Sequence, residues 1–387
     1  MRSDLKEFDV AVIGAGVFGS WTALRLAQGG KRIVLLDQYG PANSRASSGG
    51  ESRIIRAGYG TDELYARWAE RSLSLWKQLL ADVGTDLFHR CGVLWLASED
   101  DVYVRNTAST LTKLGIAAER LDHEQLQRRY PQFNFDDVEW GLLEPQHGVL
   151  MARRSVQAVV AAAVSQGVTY LQGSVKTPYG KGNLAAIETS NGERIVADEY
   201  VFACGPWLGK VFPDLLGERI FPSRQEVFFF GVPAGDAQFA TPAMPAWLFG
   251  RDGIYGLPDL ENRGFKIAID RHGEPVDPDT QSRIISSESA EWMRSYVAHR
   301  FPQLRNAPIV ETRVCQYENT SNGDFLVDRH PEMDNVWLVG GGSGHGFKHG
   351  PALGEYVAGH VLGDRNVSSE PRFLLASKNS VQNRQIY

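Results

Sequence analysis

The chain has 387 residues, 43% of them hydrophobic, and a formal net charge of −6. This length indicates two domains, or one large domain with insertions, and the apolar content is ample for a core. The acidic balance gives no support for a nucleic-acid partner, and no apolar run approaches the length that spans a bilayer.

The first predicted unit, residues 8–37, is a strand, a glycine turn, a helix and a second strand. The turn carries three glycines with the spacing of a dinucleotide-binding motif. Gly14 permits the tight turn, Gly16 lets a pyrophosphate approach the backbone, and Gly19 lets the helix pack closely on the strand. The unit therefore predicts a dinucleotide site.

The two ends of this unit have separate expected roles. The helix begins at Val17 and Phe18, and its free N–H groups and partial positive charge favour phosphates. Asp37 ends the second strand, where a carboxylate accepts hydrogen bonds from ribose hydroxyls and repels a 2′-phosphate, which disfavours NADP. The motif by itself does not distinguish FAD from NAD.

A polar stretch, residues 40–52, is rich in serine and glycine. So close to the motif, it is suited to wrap phosphate and ribose with backbone N–H groups, and the alternative is an ordinary surface loop. Beyond it, Arg53 and Arg56 flank two isoleucines, which places two guanidinium groups beside an apolar anchor.

Hydrophobic periodicity predicts the elements of the middle of the chain. Residues 61–83 form a predicted amphipathic helix with Thr61 as its N-cap, and Asn191-Gly192 is the predicted turn of a hairpin. The other predicted helical segments are residues 113–130, 155–167 and 287–300. The predicted strands are residues 91–96 and, as an antiparallel sheet, residues 222–233, 246–250, 253–257 and 265–270.

A second glycine-rich turn, residues 340–346, lies between a predicted strand and a predicted helix, residues 352–362. It suggests that the chain returns to the cofactor, which an NAD-only domain has no reason to do. A reduced flavin is anionic at N1/C2=O and is stabilised by a helix N-terminus and by a cation such as Lys348. The second turn therefore favours FAD.

These residues resemble the monomeric sarcosine oxidase and N-methyltryptophan oxidase group of FAD-dependent amine oxidases, which includes fructosyl amino acid and pipecolate oxidases. The resemblance covers nearly the whole chain and rests on VIGAGVFGS, SRIIRAGYG, ACGPW, GFKIAID, CQYENTSNGDFLVDRHP and GGGSGHGFKHGPALGE. It implies an α/β fold with a Rossmann-type FAD-binding domain and a second, α+β substrate domain built on an antiparallel sheet. This architecture is glutathione-reductase-like, of the D-amino-acid-oxidase type.

The same resemblance implies two domains that are both discontinuous in sequence. The FAD-binding domain is expected to comprise residues 1–88, 146–218 and 318–387. The substrate domain is expected to comprise residues 89–145 and 219–317.

The resemblance further implies an FAD-dependent oxidase of a secondary or primary amino acid. Hydride would pass from the amine α-carbon to flavin N5, and O2 would be reduced to H2O2. No strong base is needed if the amine binds in its neutral form. The alternatives are an amine dehydrogenase with another electron acceptor, a flavin-binding subunit without activity and, disfavoured by the second glycine turn, an NAD-dependent dehydrogenase.

The expected partners are O2 and a small-molecule amino acid or amine with a carboxylate, with no nucleic acid, membrane or metal. The expected state is a monomer in the cytoplasm. Three dispersed cysteines fit a reducing compartment, and Cys91 and Cys204 are expected in the core. The first eight residues leave no room for a signal peptide, and the last three are not a peroxisomal address.

The resemblance assigns roles to matching positions around the substrate. Cys315 corresponds to the cysteine that forms a thioether to the flavin 8α-methyl group. Arg56 and Lys348 correspond to the pair that binds the substrate carboxylate. Tyr317 and Tyr255 correspond to aromatic residues that line the substrate cavity.

Two further matches concern catalysis and the cofactor. Lys266 corresponds to the lysine that activates oxygen, and Arg53 to a residue near the reactive edge of the flavin ring. The implied cofactor-binding residues are Gly14, Gly16, Val17, Phe18, Gly19, Asp37, Ser48, Ser52, Arg53, Val175, Gly205, Trp207, Cys315, Gly342, Gly344, His345, Gly346 and Lys348.

Two positions depart from sarcosine oxidase. Ser48-Gly49 stands in place of a His-His pair, and Asp270 replaces an active-site histidine. We expect Gly49 to open volume next to the flavin and Asp270 to add an acceptor that contacts substrate, so the substrate should be larger or more polar than sarcosine. The alternative is that Asp270 pairs with Arg271 or another internal cation and never meets substrate.

Overall fold

A computed structural model describes residues 7–382 of the chain. Residues 1–6 and 383–387, which carry the predictions on a signal peptide and on a peroxisomal address, lie outside the described residues. Among residues 7–382, no helix combines the length and the apolar character needed to cross a membrane.

The strands and helices are named here in chain order. The strands are β1 (Glu7–Ile13), β2 (Ile33–Asp37), β3 (Arg53–Ile55), β4 (Phe88–His89), β5 (Val93–Ala97), β6 (Glu119–Asp122), β7 (Trp140–Glu144), β8 (Gly148–Leu150), β9 (Thr169–Gln172), β10 (Ile187–Glu188), β11 (Arg194–Phe202), β12 (Phe221–Phe230), β13 (Ala246–Phe249), β14 (Ile254–Leu257), β15 (Phe265–Ile269), β16 (Ile309–Asn319), β17 (Leu326–Arg329) and β18 (Val336–Gly340). The helices are α1 (Val17–Gln28), α2 (Glu63–Asp82), α3 (Val102–Leu114), α4 (His123–Arg129), α5 (Ala152–Ser165), α6 (Leu208–Val211), α7 (Pro213–Leu216), α8 (Ser287–Arg300) and α9 (Gly350–Leu362).

The first sheet has the strand order β17-β18-β11-β1-β2-β9, with β10 paired to β11. The strands β18, β11, β1, β2 and β9 run parallel, and β17 runs antiparallel at one edge. Helix α1 packs against α5 and α9, and its buried residues lie on every side, as expected for a helix enclosed between layers. The predicted dinucleotide-binding architecture is confirmed.

The second sheet has the order β16-β12-β15-β14-β13-β5-β7-β6. The predicted strands between residues 222 and 270 are present and antiparallel to their neighbours, except that β13 pairs with β5 in parallel. A small third sheet, β3-β8-β4, carries the start of the Arg53–Arg56 segment. The second sheet is thus mixed, not purely antiparallel.

Three local predictions need correction. Asp62, not Thr61, caps α2, because its side chain accepts a hydrogen bond from the backbone N–H of Tyr65. Residues 113–130 are not one helical segment, since a left-handed Gly115 ends α3 and β6 precedes α4. Strand β16 was not predicted, because charged residues interrupt its apolar pattern. Buried and partly exposed positions alternate only in the second half of the strand.

Candidate active site

Close backbone contacts hold the dinucleotide turn. Gly14 has a φ of +107°, and a Cβ atom there would lie 2.2 Å from the carbonyl oxygen of Ala203. A Cβ atom on Gly19 would lie 1.9 Å from the carbonyl oxygen of Gly14. Non-bonded atoms do not approach this closely, so both positions require glycine.

A single cavity beside the N-terminus of α1 collects most of the predicted cofactor residues. It lies where β1, β2 and β11 end, which is the usual ligand position in a parallel sheet. The predicted residues that line it are Gly14, Gly16, Val17, Phe18, Asp37, Ser48, Arg53, Val175, Gly205, Trp207, Gly342, Gly344 and Gly346. Those predicted for the cofactor that are not in its lining are Gly19, Ser52, Cys315, His345 and Lys348.

The cavity also has walls that the sequence did not reveal. Gly173 and Ser174 line it because β9 pairs with β2, a neighbour relation that only the tertiary fold creates. Lys210 and Asp279 line it from separate segments and form an ion pair. Cys204 packs against a core cluster, as expected, and also lines the cavity.

Asp37 is fixed at the edge of this cavity. One carboxylate oxygen accepts the backbone N–H of Ala15 at 2.8 Å, and the other accepts those of Tyr39 and Gly40 at 2.9 Å each. Burial raises the pKa of the carboxyl. Asp37 therefore links β2 to the glycine turn, and its contact with a ribose stays a prediction.

Glu318 shows that the cavity is built for a polar ligand. Its side chain is buried, lines the cavity, and its Oε1 atom has no hydrogen-bond partner within residues 7–382. Burial raises the pKa of this carboxyl to about 8. An orphaned buried oxygen beside a glycine-lined helix N-terminus fits a dinucleotide such as FAD.

Cys315 and Arg53 meet beside the cavity. The guanidinium of Arg53 donates to Cys315 Sγ at 3.3 Å and to the carbonyl oxygens of Ser47 at 2.8 Å and Ser52 at 2.9 Å. Arg53 also lines the cavity. The structure thus brings the predicted thioether cysteine and the predicted ring-edge arginine together.

Lys266 points away from the apolar core that its strand neighbours enter. Phe265 and Ile267 belong to a buried cluster of the second sheet. Lys266 is 2% exposed, and its ammonium group donates to the carbonyl oxygen of Ser52 at 2.7 Å. Burial, reinforced by the charge of Arg53, lowers the pKa of Lys266 well below its usual range.

Arg56 and Lys348 converge on one tyrosine. The Arg56 guanidinium lies 4.7 Å from the ring centroids of both Tyr59 and Trp95. Lys348 donates to the Tyr59 hydroxyl at 2.9 Å and to the carbonyl oxygen of His345 at 3.0 Å. Burial and the nearby Arg56 lower the pKa of Lys348 well below its usual range. Tyr59 was missed, although it stands inside the quoted SRIIRAGYG stretch.

Asp270 faces the same cluster. Its Oδ1 atom accepts the hydroxyl of Tyr317 at 2.9 Å. Burial raises the pKa of Asp270, while Tyr317, Arg56 and Lys348 oppose that rise. Arg271 instead donates to the carbonyl oxygen of Arg251. The aspartate therefore turns towards the predicted substrate residues and not towards its sequence neighbour.

Tyr255 is partly buried beside this cluster. The guanidinium of Arg53 interacts electrostatically with the phenols of Tyr255 and Tyr317. The two tyrosines are joined by a hydrogen bond between their side chains. Burial is the main cause of the raised pKa of Tyr255. Both phenols are therefore neutral donors or acceptors at physiological pH.

The expectation for Gly49 is wrong. A Cβ atom on Gly49 would lie 1.9 Å from the carbonyl oxygen of Asn43, so the missing side chain points into the backbone of its own loop. The Gly49 carbonyl accepts the guanidinium of Arg153 at 2.9 Å. Gly49 is required by this close approach and opens no volume for a substrate.

His345 is held by the protein interior. Its ring stacks on Phe325 with centroids 5.1 Å apart, and its Nε2 atom lies 3.0 Å from the carbonyl oxygen of Gly323. Its Nδ1 atom lies 3.2 Å from the hydroxyl of Tyr59.

Throughout the described range, no group of three His, Cys, Asp or Glu side chains is arranged to hold a metal ion.

Comparison with known proteins agrees with this geometry. The family model for FAD dependent oxidoreductases matches residues 9–359. Peroxisomal sarcosine oxidase of Mus musculus is 31% identical over 97% of this chain and 96% of its own. N-methyl-L-tryptophan oxidase of Salmonella heidelberg is 28% identical over 92% and 95%. The solved L-proline dehydrogenase from P.horikoshii has a TM-score of 0.83 at 21% identity, covers 96% of this chain and 97% of its own, and shows the fold.

The fold and the cavity thus define a flavin-dependent oxidoreductase. The chain belongs to the FAD dependent oxidoreductase family and is a homologue of the sarcosine and N-methyltryptophan oxidases. The predicted resemblance and the predicted class of FAD-dependent amino acid oxidase are confirmed.

Proposed function

We propose that the protein oxidises a carboxylate-bearing amino acid at its C–N bond, with O2 as the electron acceptor and H2O2 as a product. The observation that carries the proposal is the convergence of two buried cations, Arg56 and Lys348, on Tyr59. An arginine fork with a lysine side chain beside it has the donors that suit a carboxylate.

The glycine turns after β1 and β18, with Ser48 and Glu318, would hold FAD. Bound FAD would accept the electrons and the hydrogen of the substrate C–H bond and pass the electrons to dioxygen. Around it, Arg56 and Lys348 orient the substrate carboxylate, and Tyr255 and Tyr317 exclude water from the reacting carbon. Lys266 contributes positive charge for the oxygen step.

A peroxide assay tests this function. The purified holoenzyme is incubated in air with a panel of amino acids and N-methyl amino acids. Each compound is compared with the amine that results from its decarboxylation, which is assayed separately. We expect H2O2 with at least one amino acid and far less with the matching amine. Turnover only with an artificial acceptor would instead identify a dehydrogenase, and flavin that no panel member reduces anaerobically would identify a non-catalytic subunit.

The proposal includes a covalent flavin bond at Cys315. Cys315 lies beside Arg53 at the cavity edge, where the family resemblance places a thioether. Acid-precipitated wild-type protein should stay yellow, whereas Cys315→Ser should release its colour. Cys91→Ser is the control and should stay yellow. Quantitative loss of flavin from the denatured wild type would contradict the bond while leaving FAD binding intact.

The substrate should be larger or more polar than sarcosine, because Asp270 offers an acceptor next to the carboxylate-binding residues. We expect kcat/KM for sarcosine to be at least about tenfold lower than for amino acids with a further hydroxyl, sugar-derived or amine group. Asp270→His should narrow that difference. Tyr317→Phe, which removes the hydroxyl bound to Asp270, is the companion variant. Efficient sarcosine oxidation by the wild type would refute this preference.

We also propose the domain division given by the sequence. Strands of the first sheet fall in residues 1–88, 146–218 and 318–387, and those of the second in residues 89–145 and 219–317, except that β16 crosses residue 317. The ends of these ranges extend beyond the described residues. We propose a cytoplasmic location, since Cys91, Cys204 and Cys315 are free thiols and fit a reducing compartment. The monomeric state stays a prediction.

A further inference from the structure

A line of ionisable side chains runs from the surface towards the residues that contact Arg56. Glu70, on α2, has a side chain that is 40% exposed, and one of its oxygens lies 2.7 Å from His147 Nε2. His147 Nδ1 lies 3.2 Å from Glu144 Oε2, and both of these side chains are fully buried. Burial alone lowers the pKa of His147, but the charges of Glu144 and Glu70 outweigh it and raise that pKa.

Glu144 accepts hydrogen bonds from the two residues that follow Arg56 and from an indole ring that packs on it. Its Oε2 accepts the backbone N–H of Ala57 at 2.7 Å, and its Oε1 accepts that of Gly58 at 3.2 Å. The same Oε1 atom accepts the indole N–H of Trp95 at 2.7 Å. One buried carboxylate therefore ties the loop after Arg56 to strand β5.

Two of the residues that Glu144 binds, Gly58 and Trp95, also contact the Arg56 guanidinium. Arg56 donates to the carbonyl oxygen of Gly58 and lies against the Trp95 ring on one side and the Tyr59 ring on the other. Two of these contacts, those with Gly58 and Trp95, thus belong to residues that Glu144 binds. If Glu144 lost its acceptors, the loop and the indole would both be free to shift, and the guanidinium would shift with them.

We propose that Glu144, supported by His147 and Glu70, is a positioning residue that sets the guanidinium of Arg56 for the substrate carboxylate. The inference rests on the proposed function, since it assumes that Arg56 binds that carboxylate. The line leads from Glu70 through His147 to Glu144, whose carboxylate binds Gly58 and Trp95, two residues that contact Arg56. The line carries no reacting atom and acts only through Arg56.

The test is ligand binding to the holoenzyme, followed by flavin absorbance. The ligands are small carboxylates from acetate to benzoate, each matched with its uncharged amide. Glu144→Gln puts an NH2 group against N–H donors, and we expect it to weaken carboxylate binding by about tenfold or more while amide binding changes little. With amino acid substrates, KM should rise by a similar factor and kcat should change much less.

Milder variants keep the test decisive if Glu144→Gln does not fold. His147→Gln and Glu70→Gln should weaken carboxylate binding in the same direction, with Glu70→Gln the smaller effect because it is the outermost member. The control is Asp259→Asn, which alters another buried carboxylate that accepts a backbone N–H, here from Gly264 at 2.8 Å. It should leave carboxylate binding unchanged.

Three outcomes separate this inference from the proposed function. If wild type binds carboxylates no better than amides, or if Arg56→Gln leaves that preference intact, the proposed function fails. If Arg56→Gln abolishes the preference but the variants along the line do not lower it, only the positioning role fails. In the double variant of Glu144→Gln with Arg56→Gln, we expect no further loss beyond Arg56→Gln alone, and additive losses would overturn the positioning role.

Discussion

Replacing Lys266 with Met should slow reoxidation of the reduced enzyme by O2 by about 10²–10³-fold or more. The first electron transfer to oxygen produces superoxide, and a fixed positive charge stabilises that anion in a site that excludes water. Loss of one such contact, about 3–4 kcal/mol, accounts for this range. Met has a similar length and no charge, so the variant removes the cation with little change in volume.

The depressed pKa of Lys266 adds a signature to this prediction. Only the protonated amine carries the positive charge, and burial makes the proton leave at a lower pH than from an ordinary lysine. Reoxidation should therefore slow as the pH rises through that lowered pKa. In the Lys266→Met variant this pH dependence should be absent.

Stopped-flow measurement separates the two half-reactions. Anaerobic reduction by substrate should survive in Lys266→Met, while reoxidation in aerated buffer should not. Lys378→Met is the matched control, because Lys378 is another buried lysine and donates to Asn322 and to backbone carbonyls in a different part of the fold. Unchanged reoxidation in Lys266→Met would mean that the lysine serves only to bind the Ser52 carbonyl.

The second large effect is expected at the carboxylate-binding pair. Arg56→Gln or Lys348→Met should lower kcat/KM for the best amino acid substrate by about 10²–10³-fold, which corresponds to 2.7–4 kcal/mol. The decarboxylated amine should lose much less, because it has no anion for either cation to bind. The variants should therefore reduce the preference of the enzyme for the amino acid over its amine.

The measurement is steady-state kinetics with the amino acid and its amine side by side. Arg120→Gln is the control, since Arg120 also stacks on an indole, that of Trp140, at 3.9 Å but lies in strand β6 of the second sheet. It should leave both substrates unaffected. Equal losses for amino acid and amine in Arg56→Gln would show that the arginine supports the fold of the site and does not bind the carboxylate.

Local sequence predicted the elements whose own residues dictate their form. The hairpin at Asn191-Gly192 and helix α8 are present where they were predicted, because turn type and helix caps are set by neighbours in sequence. Strand β16 was missed because its own apolar pattern does not mark it as a strand. It is a strand because it pairs with β12 in the tertiary structure. Local signals cannot carry that information.

Within the site, the sequence by itself determined the dinucleotide turn and the identity of the motif residues. The steric demand at Gly14 and Gly19 comes from a motif so local that its spacing already encodes it. The resemblance supplied Cys315, Lys266 and the carboxylate pair by position, without their contacts.

Only the tertiary structure decided which direction each side chain takes and what it meets. Gly49 shows this most clearly, because a glycine in place of a histidine suggested open volume, whereas its backbone turns the missing side chain into Asn43. Glu144 and Glu318 lay in the sequence without a signal, since a carboxylate acquires a role only from the groups that fold around it. Buried polar contacts join residues that are far apart in the chain. The sequence gives the identity of these residues but not which of them are in contact.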